Sequence, residues 1–107
     1  MIRAADLETR FVGASQLFGA YFHQDWRKES PTPDENVRRF ALSESDSVRR
    51  RAIKDIEELL TEYTDEDELG KVLMKFGNHY DALREEASYK EWLGKVLGIL
   101  RFARRDN

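Results

Sequence analysis

Apolar residues recur at spacings of three and four from one end of the chain to the other, and no segment shows sustained alternation of apolar and polar residues. A spacing of three to four places side chains on one face of an α-helix, whereas alternation is the pattern of a half-buried β-strand. The sequence therefore predicts an all-α fold. We expect a single compact bundle of about five mostly antiparallel helices, forming one domain over residues 1–107.

The first predicted helix covers roughly residues 4–22. A glycine inside a helix lowers its stability by about 1 kcal/mol relative to alanine, so we expect a break near Gly13. The residues at helical spacing that form the apolar face are Leu7, Phe11, Ala14, Phe18 and Phe22.

Residues with capping side chains mark the starts of later helices. Thr32 and Ser88 are each followed three residues later by a glutamate, Glu35 and Glu91, which is the pattern of a capping box. Thr64 is predicted to cap a further helix, whose first turn is rich in carboxylates. These signals divide the second half of the chain into separate helices.

The longest predicted helix runs from about Val48 to Tyr63. Gly77 is predicted to end the helix that follows, in a left-handed conformation. The polar residues 81–87 are predicted to be a connection. The charged residues expected on the surface of the longest helix are Arg49, Arg50, Lys54, Asp55, Glu58 and Glu62.

The composition excludes several kinds of site. The chain has no cysteine, so disulfides and thiolate metal sites are impossible. It has neither a Gly-x-Ser-x-Gly elbow nor a Gly-rich phosphate loop, and we expect neither an enzyme nor a bound cofactor. The first residues are charged, and no run approaches the roughly 18 apolar residues of a membrane span. We therefore expect a cytoplasmic protein that does not enter the membrane.

The two histidines lie in similar local patterns, His23 with Asp25 and His79 with Asp81. Together these side chains could ligate a divalent metal, or the histidines could act as acid and base in RNA cleavage. Nothing in the sequence brings the two segments together, and each lies where a helix is predicted to end. Histidine there complements the helix dipole and aspartate accepts from free backbone amides, so structural roles are favoured.

Arginines cluster at residues 49–51 and near the C-terminus, at Arg101, Arg104 and Arg105. Such clusters could contact phosphate groups. A DNA- or RNA-binding domain is usually clearly basic, whereas this chain has a net charge of −3. Direct nucleic-acid binding is therefore not expected.

Residues 55–70 contain eight acidic side chains and no basic one. Two interpretations are open for this acidic block. It is either a solvated surface whose carboxylates stabilise a helix N-terminus, or a docking surface for a basic partner, where opposite charges accelerate and orient the encounter. The block consists of Asp55, Glu57, Glu58, Glu62, Asp65, Glu66, Asp67 and Glu68.

The segment from Leu17 to Trp26, LFGAYFHQDW, resembles the signature of a family of immunity proteins from bacterial contact-dependent growth inhibition systems. Other residues correspond in order as far as Leu100. The resemblance implies a small helical protein that binds the toxic C-terminal domain of a large exported protein, commonly a nuclease, and blocks its active site or access of its substrate. It also implies that the gene of the exported protein directly precedes this one.

The resemblance favours the docking interpretation of the acidic block, because carboxylates can imitate the phosphates that a nuclease binds. The residues predicted to contact the toxin are Glu57, Glu58, Glu62, Asp65, Glu66 and Glu68. Family members that face diverse toxins can share a scaffold more readily than a contact surface, so the signature is interpreted as structural. The signature residues are Tyr21, Phe22, His23, Asp25, Trp26, Gly77, Tyr80 and Trp92. A generic helical adaptor or regulator is the alternative, and we expect a monomer or a weak homo-oligomer.

Overall fold

The computed structural model describes residues 4–86 and 88–103. These ranges contain no β-strand, and five of their α-helices have seven residues or more, which confirms the prediction of an all-α fold with about five helices. None of their helices is long and apolar enough to cross a membrane. The elements are α1 (Ala4–Arg10), α2 (Val12–Gln16), a π-helical turn (Leu17–Tyr21), a 3-10 turn (Trp26–Lys28), α3 (Pro33–Ser43), α4 (Asp46–Glu62), α5 (Glu66–Lys75), α6 (Ala82–Glu85) and α7 (Tyr89–Phe102).

The N-terminal segment is interrupted at Phe11, close to the break expected near Gly13. Phe11 has φ −115° and ψ 55°, a non-helical conformation that separates α1 from α2. Its ring is completely buried. The break therefore lies at residue 11, two residues before Gly13, near which it was predicted. A second irregularity, the π-helical turn, follows Gln16.

Two side chains of α4 satisfy the backbone groups at this break. The Asp55 carboxylate accepts hydrogen bonds from the amides of Gly13 and Ala14, at 2.8 and 3.1 Å. The Arg51 guanidinium donates to the other Asp55 oxygen at 2.9 Å and to the carbonyl of Arg10 at 2.7 Å. Helix ends leave such amides and carbonyls without partners inside the helix. One ion pair thus serves the end of α1 and the start of α2.

Asp55 is only 1% exposed, which corrects its predicted place on the surface of the longest helix. The burial follows from the close approach of α2 to α4. A Cβ atom added to Gly13 would lie 2.5 Å from the amide nitrogen of Ala52, a distance that real Cβ atoms essentially never show. Asp55 is therefore part of the core, and the surface of the acidic block lacks this carboxylate.

Most of the predicted helix starts are correct. The caps predicted for α3 and α7, Thr32 and Ser88, are confirmed, since each hydroxyl accepts a hydrogen bond from the amide three residues later, at 3.1 and 3.0 Å. The prediction for α5 is wrong by one residue. Asp65 caps α5 in place of Thr64, by accepting from the amide of Glu68 at 3.0 Å. Aspartate is an N-cap at least as favourable as threonine, so the helix begins one residue later.

The segment 81–87 is more than the polar connection that its composition predicts, because it contains the four-residue helix α6. Asp81 caps this helix by accepting from the amide of Leu83 at 3.1 Å. Ala82 is fully buried, whereas the other three residues of α6 are exposed. A helix with one inward side chain has no periodic apolar pattern by which a sequence could reveal it.

We predict that Asp55→Ala lowers the free energy of unfolding by about 3 kcal/mol, because it leaves two buried amides without an acceptor and Arg51 without its partner. Urea unfolding followed by circular dichroism measures this change. Glu57→Ala is the matched control, since it removes an exposed carboxylate of the same helix that also faces an arginine. We expect it to lose less than about 1 kcal/mol. Equal losses in the two variants would contradict a special role for Asp55.

A second pair of variants tests the close contact of α2 with α4. Gly13→Ala forces a methyl group against the backbone at Ala52, and we expect a loss of about 1–3 kcal/mol. Gly94→Ala adds the same methyl group at a helical position where nothing lies within 4 Å, and should gain up to about 1 kcal/mol from helix propensity. Thermal unfolding should shift in opposite directions. An unfolding temperature of Gly13→Ala equal to or above that of the unmodified protein would show that Gly13 is not a close-contact position.

Candidate protein interface

The acidic block occupies the second half of α4 and the start of α5, and arginines from distant segments reach part of it. Arg10 forms two hydrogen bonds with the carboxylate of Glu62, at 2.8 and 2.7 Å. Arg101 pairs with Glu57. Asp55 is buried, as described above. The surface charge of the block is therefore considerably less negative than its sequence suggests.

The pair of Arg10 and Glu62 has the electrostatics of an exposed ion pair. Hydrogen bonds from Arg10 lower the pKa of Glu62, and the same contact, together with the charge of Glu58, raises the pKa of Arg10. A carboxyl group with a lowered pKa stabilises the fold above its ordinary pKa, and this contribution is lost as the pH falls through the folded value. The two side chains are 48% and 38% exposed, so the contribution is small.

Two further candidates, Asp65 and Glu66, accept hydrogen bonds from helix starts. Asp65 is the N-cap of α5. Glu66 accepts from the amides of Tyr89 and Lys90, both at 2.9 Å, and so caps α7 from outside that helix. The sequence reveals the role of Asp65 only through the local capping pattern. It cannot reveal that of Glu66, because the acceptor and the donors are more than twenty residues apart.

The remaining carboxylates of the block are Glu58, Asp67 and Glu68. Within the described parts of the chain, their side chains form no hydrogen bond or ion pair. Asp67 and Glu68 are exposed, and Glu58 is half-buried. A partner could therefore bind these three groups without breaking a hydrogen bond or ion pair of the described residues, although Glu58 also attracts Arg10.

The aromatic residues of the signature pack together in the core. Trp92 lies 5.2 Å from Phe22 and 4.6 Å from Tyr80, measured between ring centroids. Trp26 lies 5.3 Å from Phe22 and 5.7 Å from Tyr80. All four side chains are at most 3% exposed. Tyr21 is half-buried and donates its hydroxyl hydrogen to Glu44 at 2.9 Å. The four rings are buried in the core, and the structural role of the signature remains a prediction.

Two glycines bring the signature segment against the end of α5. Gly77 has φ +98°, the left-handed conformation predicted for this helix end. A Cβ atom on Gly77 would lie 3.2 Å from the Cα of Gly19, and one on Gly19 would lie 2.5 Å from the carbonyl oxygen of Phe76. The amide of His79 donates to the carbonyl of Phe22 at 2.7 Å beside this contact. The backbones are thus in direct contact, which larger residues would prevent.

His23 and Asp25 contribute unequally to the turn after the signature helix. His23 accepts a hydrogen bond at Nδ1 from the amide of Asp25 at 3.1 Å, and its Nε2 lies 3.3 Å from Glu29. The Asp25 carboxylate forms no capping hydrogen bond and lies 3.8 Å from the Nζ of Lys28. No group of three or more His, Asp or Glu side chains in the described residues could hold a metal ion.

The arginines at 49–51 are largely used within the fold. Arg49 donates to the carbonyl of Leu100 at 2.8 Å, near the end of α7. Arg51 supports the break between α1 and α2, as described above. Arg50 is the most exposed of the three, with 74% of its side chain accessible. The arginines at 104–105 lie outside the described residues. A phosphate-binding role for residues 49–51 would compete with these structural contacts.

An apolar groove of about 600 Å³ lies between α3 and α7 and was not predicted from the sequence. Leu42 is 52% exposed and Phe102 is 84% exposed at its rim. Both are extra apolar residues beside the core positions of their helices. The sequence could have indicated this groove only through apolar residues outside the helical spacing of the core, and a single exposed apolar residue is weak evidence of a site.

The comparisons with known proteins agree with the family resemblance. The family described as CdiI immunity protein matches residues 10–100. The fold also matches one chain of the crystal structure of the CdiA-CT/CdiI complex from Y. kristensenii 33638, with a TM-score of 0.79 and 26% sequence identity. The match covers 85% of this chain and 98% of that chain. A comparison with curated proteins found no match.

The family match covers most of the chain and includes the whole segment from Leu17 to Trp26. It confirms the family resemblance that this segment indicates. Immunity proteins are inhibitors, so it also confirms the prediction that the chain is not an enzyme. The chain belongs to the CdiI immunity protein family.

Proposed function

We propose that this protein binds the C-terminal toxin domain of its cognate contact-dependent growth inhibition effector in the cytoplasm and neutralises it. The observation that carries this proposal is the family match, supported by the likeness to a chain of a CdiA-CT/CdiI complex. The chain acts as one domain over residues 1–107. Binding blocks the active site of the toxin or the approach of its substrate.

The toxin that best fits this surface is a basic nuclease. A nuclease presents positive charge to a phosphate backbone, and an inhibitor that covers this charge benefits from carboxylates. The acidic block, at the end of α4 and the start of α5, supplies these carboxylates. Its members proposed to contact the toxin are Glu57, Glu58, Glu62, Asp65, Glu66 and Glu68.

These six carboxylates would contribute in different ways. Glu57 and Glu62 are shared with arginines, so a toxin cation must compete with an existing partner. Asp65 and Glu66 already accept hydrogen bonds from backbone amides. Glu58 forms no such contact within the described parts of the chain. We therefore propose that Glu58, with Glu68, forms the strongest direct contacts with basic toxin residues.

Calorimetry with an inactive variant of the cognate toxin domain tests the proposed function. The domain is taken from the exported protein whose gene directly precedes this one. We expect one-to-one binding with nanomolar affinity, and growth protection of cells that express the active toxin. A folded sample that neither binds the domain nor protects the cells would overturn the proposal and favour a helical adaptor.

We predict that Glu58→Gln combined with Glu68→Gln weakens toxin binding about tenfold, mainly through slower association at low salt. The fold should be unaffected, since neither side chain has a hydrogen-bond partner in the described residues. Surface plasmon resonance at two salt concentrations measures the rates. The control is Glu35→Gln combined with Glu91→Gln, which removes the same charge from exposed positions where glutamine suits the capping box. An equal effect of both pairs would exclude a localised acidic contact.

A further inference from the structure

The surface of α4 carries a segregated row of charges. Arg50, Lys54, Glu58 and Glu62 follow one another at intervals of four residues, so they lie along one side of the helix. The row extends over about 18 Å. Its first two members are cations and its last two are carboxylates. We call these four residues the two-signed row.

Helix stability does not explain this order. Arg50 with Lys54, and Glu58 with Glu62, are like-charge neighbours at a spacing of four, which destabilise a helix. The helix dipole favours cations near the C-terminus, yet the last turn of α4 contains no basic residue. An alternating order of the same four charges would be more favourable. Asp46 beside Arg50 and Arg10 beside Glu62 offset part of the repulsion, and Arg10 also attracts Glu58.

The row also borders two adjoining grooves. The groove beside its basic half is about 460 Å³ and lies between α2 and α4, with Val12 in its wall. The groove beside its acidic half is about 330 Å³ and is lined by Glu58 and Glu62, together with Arg10. Lys54 lines both. Val12 is 48% exposed, so it offers an aliphatic contact at the basic end.

Lys54, the second cation of the row, is available to a partner. Lys54 is exposed and forms no ion pair within the described residues, although Glu58 follows it at a spacing of four. Arg50 is 74% exposed, and its pair with Asp46 is an exposed contact of the kind that contributes little to stability. Neither cation is needed to satisfy the backbone, unlike Arg49 and Arg51.

We propose that the two-signed row is a docking surface for the toxin domain, and that its basic half attracts toxin carboxylates while its acidic half attracts toxin cations. The inference rests on the proposed function and refines it. The partner surface should present an acidic group next to an apolar side chain opposite Arg50, Lys54 and Val12, and a basic group opposite Glu58 and Glu62. Because the row itself carries both signs, a partner that presents both charges would fit it better than a uniformly basic one.

A row with two signs determines orientation, which a uniformly acidic surface cannot do. If the toxin surface docked in the reverse direction, its acidic group would meet Glu58 and Glu62, and its basic group would meet Arg50 and Lys54. Such like-charge contacts oppose the wrong orientation and the wrong partner. The basic half therefore contributes to specificity as well as to affinity.

The double variant Arg50→Gln with Lys54→Gln tests the inference, because the two models predict effects of opposite sign. If the toxin surface were uniformly basic, removal of two cations beside the carboxylates would strengthen binding. If the row is two-signed, we expect binding to weaken about tenfold. The control is Lys28→Gln with Arg38→Gln, which removes the same charge at exposed positions on other elements. Glutamine favours helix, and thermal unfolding verifies that each variant is folded.

The readout is calorimetry with the inactive cognate toxin domain. Weaker binding of the α4 variant with unchanged binding of the control supports the two-signed row. Unchanged or tighter binding of the α4 variant overturns the row but leaves the proposed function intact, provided that the unmodified protein binds. Absence of binding by the unmodified protein overturns both. If the α4 variant unfolds, the single variant Lys54→Gln takes its place, with the same expected direction.

Discussion

The fold depends on a single buried carboxylate that joins the first two helices to the fourth. Asp55 accepts from the amides that begin α2, and its partner Arg51 donates to the carbonyl that ends α1. A helix break buried under another helix would otherwise leave polar backbone groups without partners. Because the backbone groups at this break have partners, α2 can approach α4 so closely that position 13 accommodates only glycine. The π-helical turn that follows α2 contributes Phe18, whose ring lies 5.5 Å from that of Trp92.

Periodicity predicted the helices because it reports which side of each helix is apolar, and the core positions confirm it from Leu7 to Leu100. It failed where a distant element determines the local structure. Asp55 lies at inner-face spacing from Ala52 and Leu59, and only its charge predicted a surface position. In the folded protein it accepts from the amides that begin α2. Glu66 likewise caps a helix that begins more than twenty residues later. No local pattern contains such information, because the donor and the acceptor meet only after folding.

The acidic block shows the same limit for the candidate site. Its sequence indicates one continuous negative surface, because residues 55–70 contain no cation. In the folded protein, Arg10 and Arg101 arrive from the first and last helices and pair with Glu62 and Glu57. The sequence could predict where the carboxylates lie along α4 and α5. It could not predict which of them remain free, since that depends on where the fold places Arg10 and Arg101.

The carboxylates of this region therefore either stabilise the fold or remain available for recognition. The contacts of each carboxylate within the protein distinguish the two roles. A buried carboxylate that accepts from backbone amides, as Asp55 does, stabilises the fold and is unavailable to another protein. A carboxylate without such a partner contributes little to stability and can keep its charge for recognition. Selection for stability alone would distribute charges along α4 in alternation and place cations at its end. The observed order is the reverse, with Lys54 in the middle of the helix and Glu62 at its last residue. With this unfavourable order of charges, the stability of α4 comes from the packing of its inner side. The residues of its outer side can therefore be selected for binding to a partner.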